Sequence, residues 1–317
     1  YIKLAVLAAA VLAPLALRHS TYIILLMCTS AISIIVVSGL DVLFGYSGQI
    51  SLGHAGFYCI GAYTSAILST RLGVPVWVTL LAGAFLSALV AVLIALPSIK
   101  LVHHFLALMT IAFGQLAYLF VANTEKLTGG FSGFNFIPQP SIGAFVFDTN
   151  TRQYYLILLF VVVFLLIKQR IIHSRTGRAL IAIRENTHAA DGMGVNVRKY
   201  KVMAFAISAF YTGFGGGLYA HLIGFISPEN YHLSQSIVFL TMLLFGGMGN
   251  FWGPVIGAIL LTAISEYLQA LGSYQMLVYG SLLLIIIIFV PGGVTGGFNP
   301  LQLLRDFRRK RRQPDAG

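Results

Sequence analysis

A chain of 317 residues with 58% hydrophobic and only 9% charged residues cannot clothe a soluble surface, which takes roughly 25% charge, so most of its exterior must face lipid. Its net charge of +11 sits in short stretches between apolar runs, the footprint of membrane topology. No stretch is long enough to form the basic face of a folded nucleic-acid-binding domain, and no nucleic-acid partner is expected.

The fold class read from the sequence is an all-α polytopic membrane protein. A helix crossing the hydrocarbon core needs about 20 apolar residues at 1.5 Å rise each. The sequence begins on Tyr1 rather than Met, as a chain continuing from an upstream segment would. Its first apolar run, 3–17, has no obvious cleavage site and precedes many more spans, so it reads as a helix and not a signal peptide. Further spans follow at roughly 21–43, 55–70, 75–98, 105–122, 153–170, 200–223, 233–248, 252–271 and 274–290. That makes about ten transmembrane helices in one domain, 1–304, followed by a basic tail, 305–317. Cys28 and Cys59 lie in apolar runs and read as small core side chains.

With ten spans and a cytoplasmic N-terminus, 16 of the 20 Lys and Arg residues fall on the inside and 4 outside, so both termini are expected in the cytoplasm. The tail Arg308-Arg309-Lys310-Arg311-Arg312 then anchors the last helix to anionic lipid. Two connections are long. The external stretch 123–152 is rich in Gly, Pro, Asn and Phe, and the internal stretch 171–199 has helical character.

Two segments carry the candidate chemistry. Gly45-Tyr46-Ser47-Gly48-Gln49-Ile50-Ser51-Leu52-Gly53-His54 puts three glycines and five polar side chains between two membrane helices. It is either a polar surface turn or a stretch of open backbone whose N–H groups could meet a carboxylate. Its opening resembles a later stretch. Leu43-Phe44-Gly45-Tyr46-Ser47-Gly48-Gln49 and Leu244-Phe245-Gly246-Gly247-Met248-Gly249-Asn250 share four identities in seven, either by chance or as a parallel internal repeat with a transport path at its broken helices. The second segment runs from Gly177 to Gly194. Read as one helix, it places Ala179, Ile183, Ala190 and Met193 on one face and Arg178, Arg184, Glu185 and Asp191 elsewhere. Such a helix either docks in a groove of another protein or rests on headgroups.

Together the two segments resemble the LivM-type permease subunit of branched-chain amino acid ABC importers. The first follows the family's G-Y-x-G-Q-x-S-L-G-H-A pattern from Gly45 to Ala55 and continues into Gly61-Ala62-Tyr63-Thr64. The second follows G-R-A-L-x-A-I-R-E-N from Gly177 to Asn186, then Ala189-Ala190 and Gly194. Leu127-Thr128-Gly129-Gly130, Ile226-Ser227-Pro228, Gly246-Gly247-Met248-Gly249, Trp252-Gly253-Pro254 and Pro291-Gly292-Gly293 extend the match in order along the chain. Two places depart from the pattern: His188 stands where the broader importer signature has Glu, and Val102-His103-His104 where Arg-Gly is common.

The resemblance implies a substrate path shaped by Gly45, Tyr46, Gly48, Gln49, Ser51, Gly53, His54, Tyr63, Gly246 and Gly249. It implies a cytoplasmic coupling helix at which Gly177, Arg178, Ala182, Arg184, Glu185, Asn186, Ala189, Ala190 and Gly194 meet an ATPase. It also implies a second related permease subunit, two ATP-binding-cassette ATPases and an extracytoplasmic substrate-binding protein in the bacterial inner membrane. Substrates of such permeases are branched-chain amino acids, or urea, amides and aromatic acids. No phosphate-binding G-x-x-x-x-G-K-[ST] loop occurs, so ATP is expected to be hydrolysed by the partners, and no cofactor is expected in this chain. An ion-coupled secondary transporter would want charges paired in mid-membrane, and the chain offers few: Asp41 and Glu266 lie in or near apolar helices, but close enough to a membrane edge to be hydrated. His54, His103, His104 and His221 lack metal-site spacing and read as interfacial histidines.

Overall fold

The computed structural model describes residues 20–98, 103–142 and 145–269, with residues 10, 11, 14, 274, 277–281, 284 and 292–294 beside them. The expected span at 3–17, most of that at 274–290 and the basic tail lie outside the described residues. The other eight expected spans are all helical. They are α1 (Thr21–Asp41), α2 (His54–Arg71), α3 (Val76–Ser98), α4 (His103–Asn123), α5 (Asn150–His173), α8 (Val197–Ile223), α9 (Leu233–Gly246) and α10 (Gly253–Gln269). Between α5 and α8 lie two short helices, α6 (Arg175–Glu185) and α7 (Thr187–Gly192). Five stretches are long and apolar enough to cross a membrane: Thr21–Tyr46, Val76–Pro97, Phe105–Asn123, Asn150–His173 and Val197–Ile223. In hydrocarbon every backbone N–H and C=O must be paired within the protein, and a helix does this inside one segment.

α8 is the axis of the bundle, packed on α1, α2 and α3. Its run Gly213, Gly215, Gly216 and Gly217 is wholly buried, and a side chain at Gly213 would strike Ser87 and the Gly83 carbonyl of α3. Gly61 of α2 lies against the Gly213 backbone itself. Helices in lipid gain little from hydrophobicity and associate by this close approach of small residues and by interhelical hydrogen bonds. Two such bonds join α2 to α8: His54 Nε2 to Ser208 Oγ at 2.7 Å, and Ser65 Oγ to His221 Nε2 at 2.8 Å.

The bundle has two distinguishable ends. At one, Asn150 Nδ2 donates to the Thr21 carbonyl, joining the starts of α1 and α5. The 124–149 excursion belongs to this end: Arg71 donates to the Lys126 carbonyl at 2.6 Å, Trp77 to Ser141 at 2.7 Å, and Phe134 pairs with Ile226. Its hairpin of two-residue strands, β1 (Ser141–Ile142) and β2 (Phe145–Val146), is the only sheet among the described residues. At the other end α6 and α7 fold under the bundle.

Candidate functional site

α1 does not stop at Asp41 but widens into a π-helical turn, Val42–Tyr46, a rare geometry often found at functional positions. The turn closes on Gly48, whose φ of +71° suits a residue without a side chain. Residues 47–53 then run without helix to the start of α2, at considerable depth. Ser208, which meets His54, is eleven residues into α8, or about 16 Å along its axis. Thus α2 begins inside the bundle, its first turn enclosed by α4, α8 and α9.

Open backbone at that depth calls for pairing by neighbours, and part of it is paired. Leu52 N donates to Thr110 Oγ1 of α4 at 3.1 Å, Gly53 N to Ser51 Oγ at 3.4 Å, and Ala55 N to Ser236 Oγ of α9 at 2.8 Å. Gly56 N returns to the Gly53 carbonyl at 3.0 Å. Within the glycine segment Leu52 N and Gly53 N are thus already taken, whereas Ile50 N, Ser51 N and His54 N donate to no described residue. Gly53 must be small for another reason: a Cβ there would lie 2.5 Å from the Thr110 carbonyl oxygen.

The two similar glycine segments meet in space. Gly249 N donates to Asp41 Oδ1 at 2.7 Å, and a Cβ on Gly45 would lie 2.6 Å from Gly249 N. Arg184 of α6 reaches the same spot, donating from Nη1 to the Gly45 carbonyl while its stem covers Gly48. Behind the junction Lys168 Nζ of α5 sits 2.7 Å from Asp41 Oδ2, with both side chains fully buried. Asp41 is therefore not hydrated at a membrane edge, and Lys168 is not a surface topology charge as its place in the sequence suggests. One carboxylate ties the end of α1 to α5 and to the 247–252 loop.

The remaining path candidates lie elsewhere. Gln49 donates to Ser47 Oγ at 2.8 Å and to the Lys201 carbonyl at 3.3 Å, holding the segment to α8. Tyr63 is buried farther along α2 in an aromatic cluster with Tyr231 and Tyr58, its ring edge-on to Tyr231 at 5.7 Å. Gly246 lets α9 and α10 cross at Gly253 and Gly257. An apolar groove of about 490 Å³ between α1, α5 and α10, bordered by Met27, Ile34, Leu158 and Trp252, contains none of the expected residues. The site is thus three places: the Gly45–Gly249 junction, the Gly53–His54 break, and the Tyr63 cluster.

The 177–194 segment is two helices rather than one. Asn186 adopts an extended φ of −156° and its side chain accepts from Ala189 N at 3.0 Å, starting α7 anew. The second helix is also short, ending at Gly192, so Met193 lies beyond it. Ala179, Ile183 and Ala190 are buried as the helical spacing predicts, whereas Met193 is 85% exposed. Gly177 packs on the Ile172 carbonyl, letting the chain turn back beneath α5. Leu180 enters a cluster with Val42, Leu43 and Tyr46, directly under the π turn. Arg178, Ala182, Glu185, Ala189 and Gly194 face outward, with open space around Gly194.

Residues 22–287 match the family model described as branched-chain amino acid transport system / permease component. The LivM high-affinity branched-chain amino acid permease proteins of Salmonella typhimurium and Escherichia coli are each 32% identical over 305 residues, covering 89% of this chain and 72% of theirs. The chain belongs to the branched-chain amino acid transport permease family. The permease is also similar to LivH of Salmonella typhimurium, at 26% identity over 83% of this chain and 90% of that one. The guanosine ABC transporter permease NupQ of Bacillus subtilis is 27% identical over 72% of this chain and 75% of its own. No solved structure matches the permease. It is a multi-pass protein of the inner membrane.

Several residues that hold the permease's site together do not stand out in its sequence. Thr110, Ser208 and Ser236 are small hydroxyl side chains in apolar helices, and their role rests on long-range contacts of 58, 154 and 181 residues. Lys168 has the same character. The inward reach of Arg184 likewise depends on a partner 139 residues away. Among the described residues no group of three or more His, Cys, Asp or Glu side chains is placed to hold a metal.

Proposed function

We propose that this chain is the membrane-spanning permease subunit of an ATP-binding-cassette importer. It moves branched-chain or related amino acids by alternating access, driven by a separate ATPase. One observation carries the reading: the α6–α7 hairpin is clamped at its inner face to the Gly45–Gly249 junction and leaves an outer face uncovered. A push on that outer face is delivered through Leu180 and Arg184 to the π turn, and through Asp41 to the 247–252 loop. Both glycine segments then move together, which is what a gate built from two broken helices requires.

On this reading residues 1–304 form one permease domain of about ten transmembrane helices, and 305–317 is a cytoplasmic tail. The substrate path runs past Gly45–His54, Tyr63, Gly246 and Gly249. Two ATPases, a related membrane subunit and an extracytoplasmic binding protein complete the transporter, and ATP is bound only by the ATPases. The names of LivM and LivH support the amino-acid substrate, and that of NupQ shows how far cargo ranges among similar chains.

The test is co-purification together with coupling. ATPase chains should accompany the permease from native membranes, and their absence would count against the reading. Ala189→Trp adds bulk to the outer face, so substrate-stimulated ATP hydrolysis and uptake should both fall at least about tenfold. Glu185→Ala removes only an exposed charge, worth about 0–1 kcal/mol, and should be mild. Ala190 is unsuitable for the comparison because it is buried against the bundle, and a Trp there would displace the hairpin itself. Full uptake by Ala189→Trp would show that the hairpin merely rests on lipid.

Orientation is tested separately. The charge bias places both termini and α6–α7 inside and 124–149 outside. A cysteine at Phe136, which is 91% exposed, should react with an impermeant maleimide in intact cells, and one at Glu185 should not. Labelling at Glu185 in sealed cells would reverse the topology.

A second reading has one observation in its favour. The buried Asp41–Lys168 pair is the kind of charge an ion-coupled transporter uses. Proteoliposomes holding the permease without ATPase chains decide between the two readings. Uptake driven by a proton or sodium gradient alone would establish ion coupling, and none is expected.

A further inference from the structure

The long helices show lipid faces of two kinds. Between their ends, the exposed side chains of α3 are all apolar, from Val78 through Phe85 and Leu89 to Leu96. Those of α5, including Leu159, Val163 and Leu166, are apolar too. α4 differs. Its exposed stripe of Phe105, Leu108, Leu116, Leu119 and Phe120 is interrupted by Gln115. Among the described residues this is the one exposed polar side chain in the interior of a membrane-length helix, and it makes no hydrogen bond to another described residue. Gln115 is eight residues from the end of the helix at Asn123, or about 12 Å. That exceeds the reach of a glutamine side chain, so the amide cannot snorkel to the headgroups. An amide left in hydrocarbon without a partner is strongly disfavoured, so this face of α4 is not a lipid face.

We propose that the face of α4 centred on Gln115 is where a second membrane subunit of this same family packs, with a hydrogen-bonding side chain opposite Gln115. The proposal rests on the importer reading. It names where in the fold the second subunit sits. A family relative is the fitting occupant because a carboxamide both donates and accepts. Two related faces meeting across a two-fold axis, exact or approximate, therefore satisfy each other's amides without a dedicated partner. The chain is similar to both LivM and LivH of Salmonella typhimurium, so two chains similar to this one occur in one organism. The opposite side of α4 holds the Leu52 amide through Thr110 and lies against Gly53. The second subunit therefore lies one helix away from the broken backbone, and its movement is felt there.

Site-specific photocrosslinking in the complete transporter, in its own membrane, tests this. A benzophenone side chain replaces Leu108 or Leu116 on α4, with Leu89 on α3 and Val163 on α5 as controls. The α4 probes should form adducts with a membrane subunit and the controls with lipid only. Lipid adducts alone from Leu108 and Leu116, in a preparation that retains its ATPase chains, would overturn the interface. Loss of the ATPase chains from the unmodified preparation would count against the importer reading instead. Gln115→Leu should lower the yield of second membrane subunit recovered in detergent by at least about fivefold, without shifting thermal unfolding of the isolated chain. Undiminished recovery would show that the amide does not serve the contact.

Discussion

Replacing Lys168 by methionine is expected to lower the stability of the detergent-solubilised permease by about 3–5 kcal/mol. The side chain is similar in length, so packing changes little; what remains is the Asp41 carboxylate, fully buried, with Gly249 N–H as its hydrogen-bond donor. An uncompensated charge at that depth must either be tolerated or take up a proton, and both disfavour the fold. Asp41→Asn alone should be harmful for the converse reason, leaving the ammonium unpaired. The double variant, Asp41→Asn with Lys168→Met, should regain most of the loss, because a neutral pair needs no counter-charge and the asparagine oxygen can still accept from Gly249. Thermal unfolding of the four proteins closes a double-mutant cycle. Additive single losses would mean that the two charges do not depend on each other and that water reaches the pair.

The second large effect is expected at Gly53. Valine there drives a branched side chain into the Thr110 backbone and dislodges the hydroxyl that pairs Leu52 N. Overpacking contributes about 1–3 kcal/mol and the orphaned amide a similar amount. The first turn of α2 has no other way to sit, so uptake into proteoliposomes should fall to background while the chain still assembles with its partners. Gly48 provides a graded contrast. Its φ is positive and its neighbour is the flexible stem of Arg184, so Gly48→Ala should cost about 1–2 kcal/mol and leave measurable uptake. Normal uptake by Gly53→Val would show that the segment is a passive turn.

The membrane helices were legible because long apolar runs have few alternatives. Each described span begins and ends within a few residues of its hydrophobic limits. The glycine segment and the 177–194 stretch were legible as unusual for the opposite reason, polar and small residues where apolar ones are the rule. Their geometry was less so. Asn186-Thr187 is a helix-start signal inside what otherwise reads as one helix, and Gly192 and Gly194 end the second helix around Met193, which takes that side chain off the buried face. The pairing of Asp41 with Lys168 carried no local signal, since the two are 127 positions apart and each alone resembles a charge near a membrane edge. Arg184 reads as a surface cation until the fold brings Gly45 beneath it. Gln115, one amide in an apolar run, becomes informative only when the structure shows that it points outward.

The hydrogen bonds between α2 and α8 impose an order on biosynthesis. His54 and Ser65 must wait for Ser208 and His221, which are made 154 and 156 residues later. At 5–20 residues per second that is roughly 8–30 s of translation. Through this interval α2 carries the His54 imidazole and the Ala55 amide without their final partners, and Ser65 has only Thr79 of α3. α2 is also absent from the stretches apolar enough to be held by lipid alone. The nascent chain must therefore keep α2 beside the insertion machinery, or loosely against α1, until α8 arrives to claim it. A cysteine at Ala62, buried in the finished fold, should react with a maleimide in a nascent chain arrested before residue 208 and be protected in one arrested well beyond residue 236.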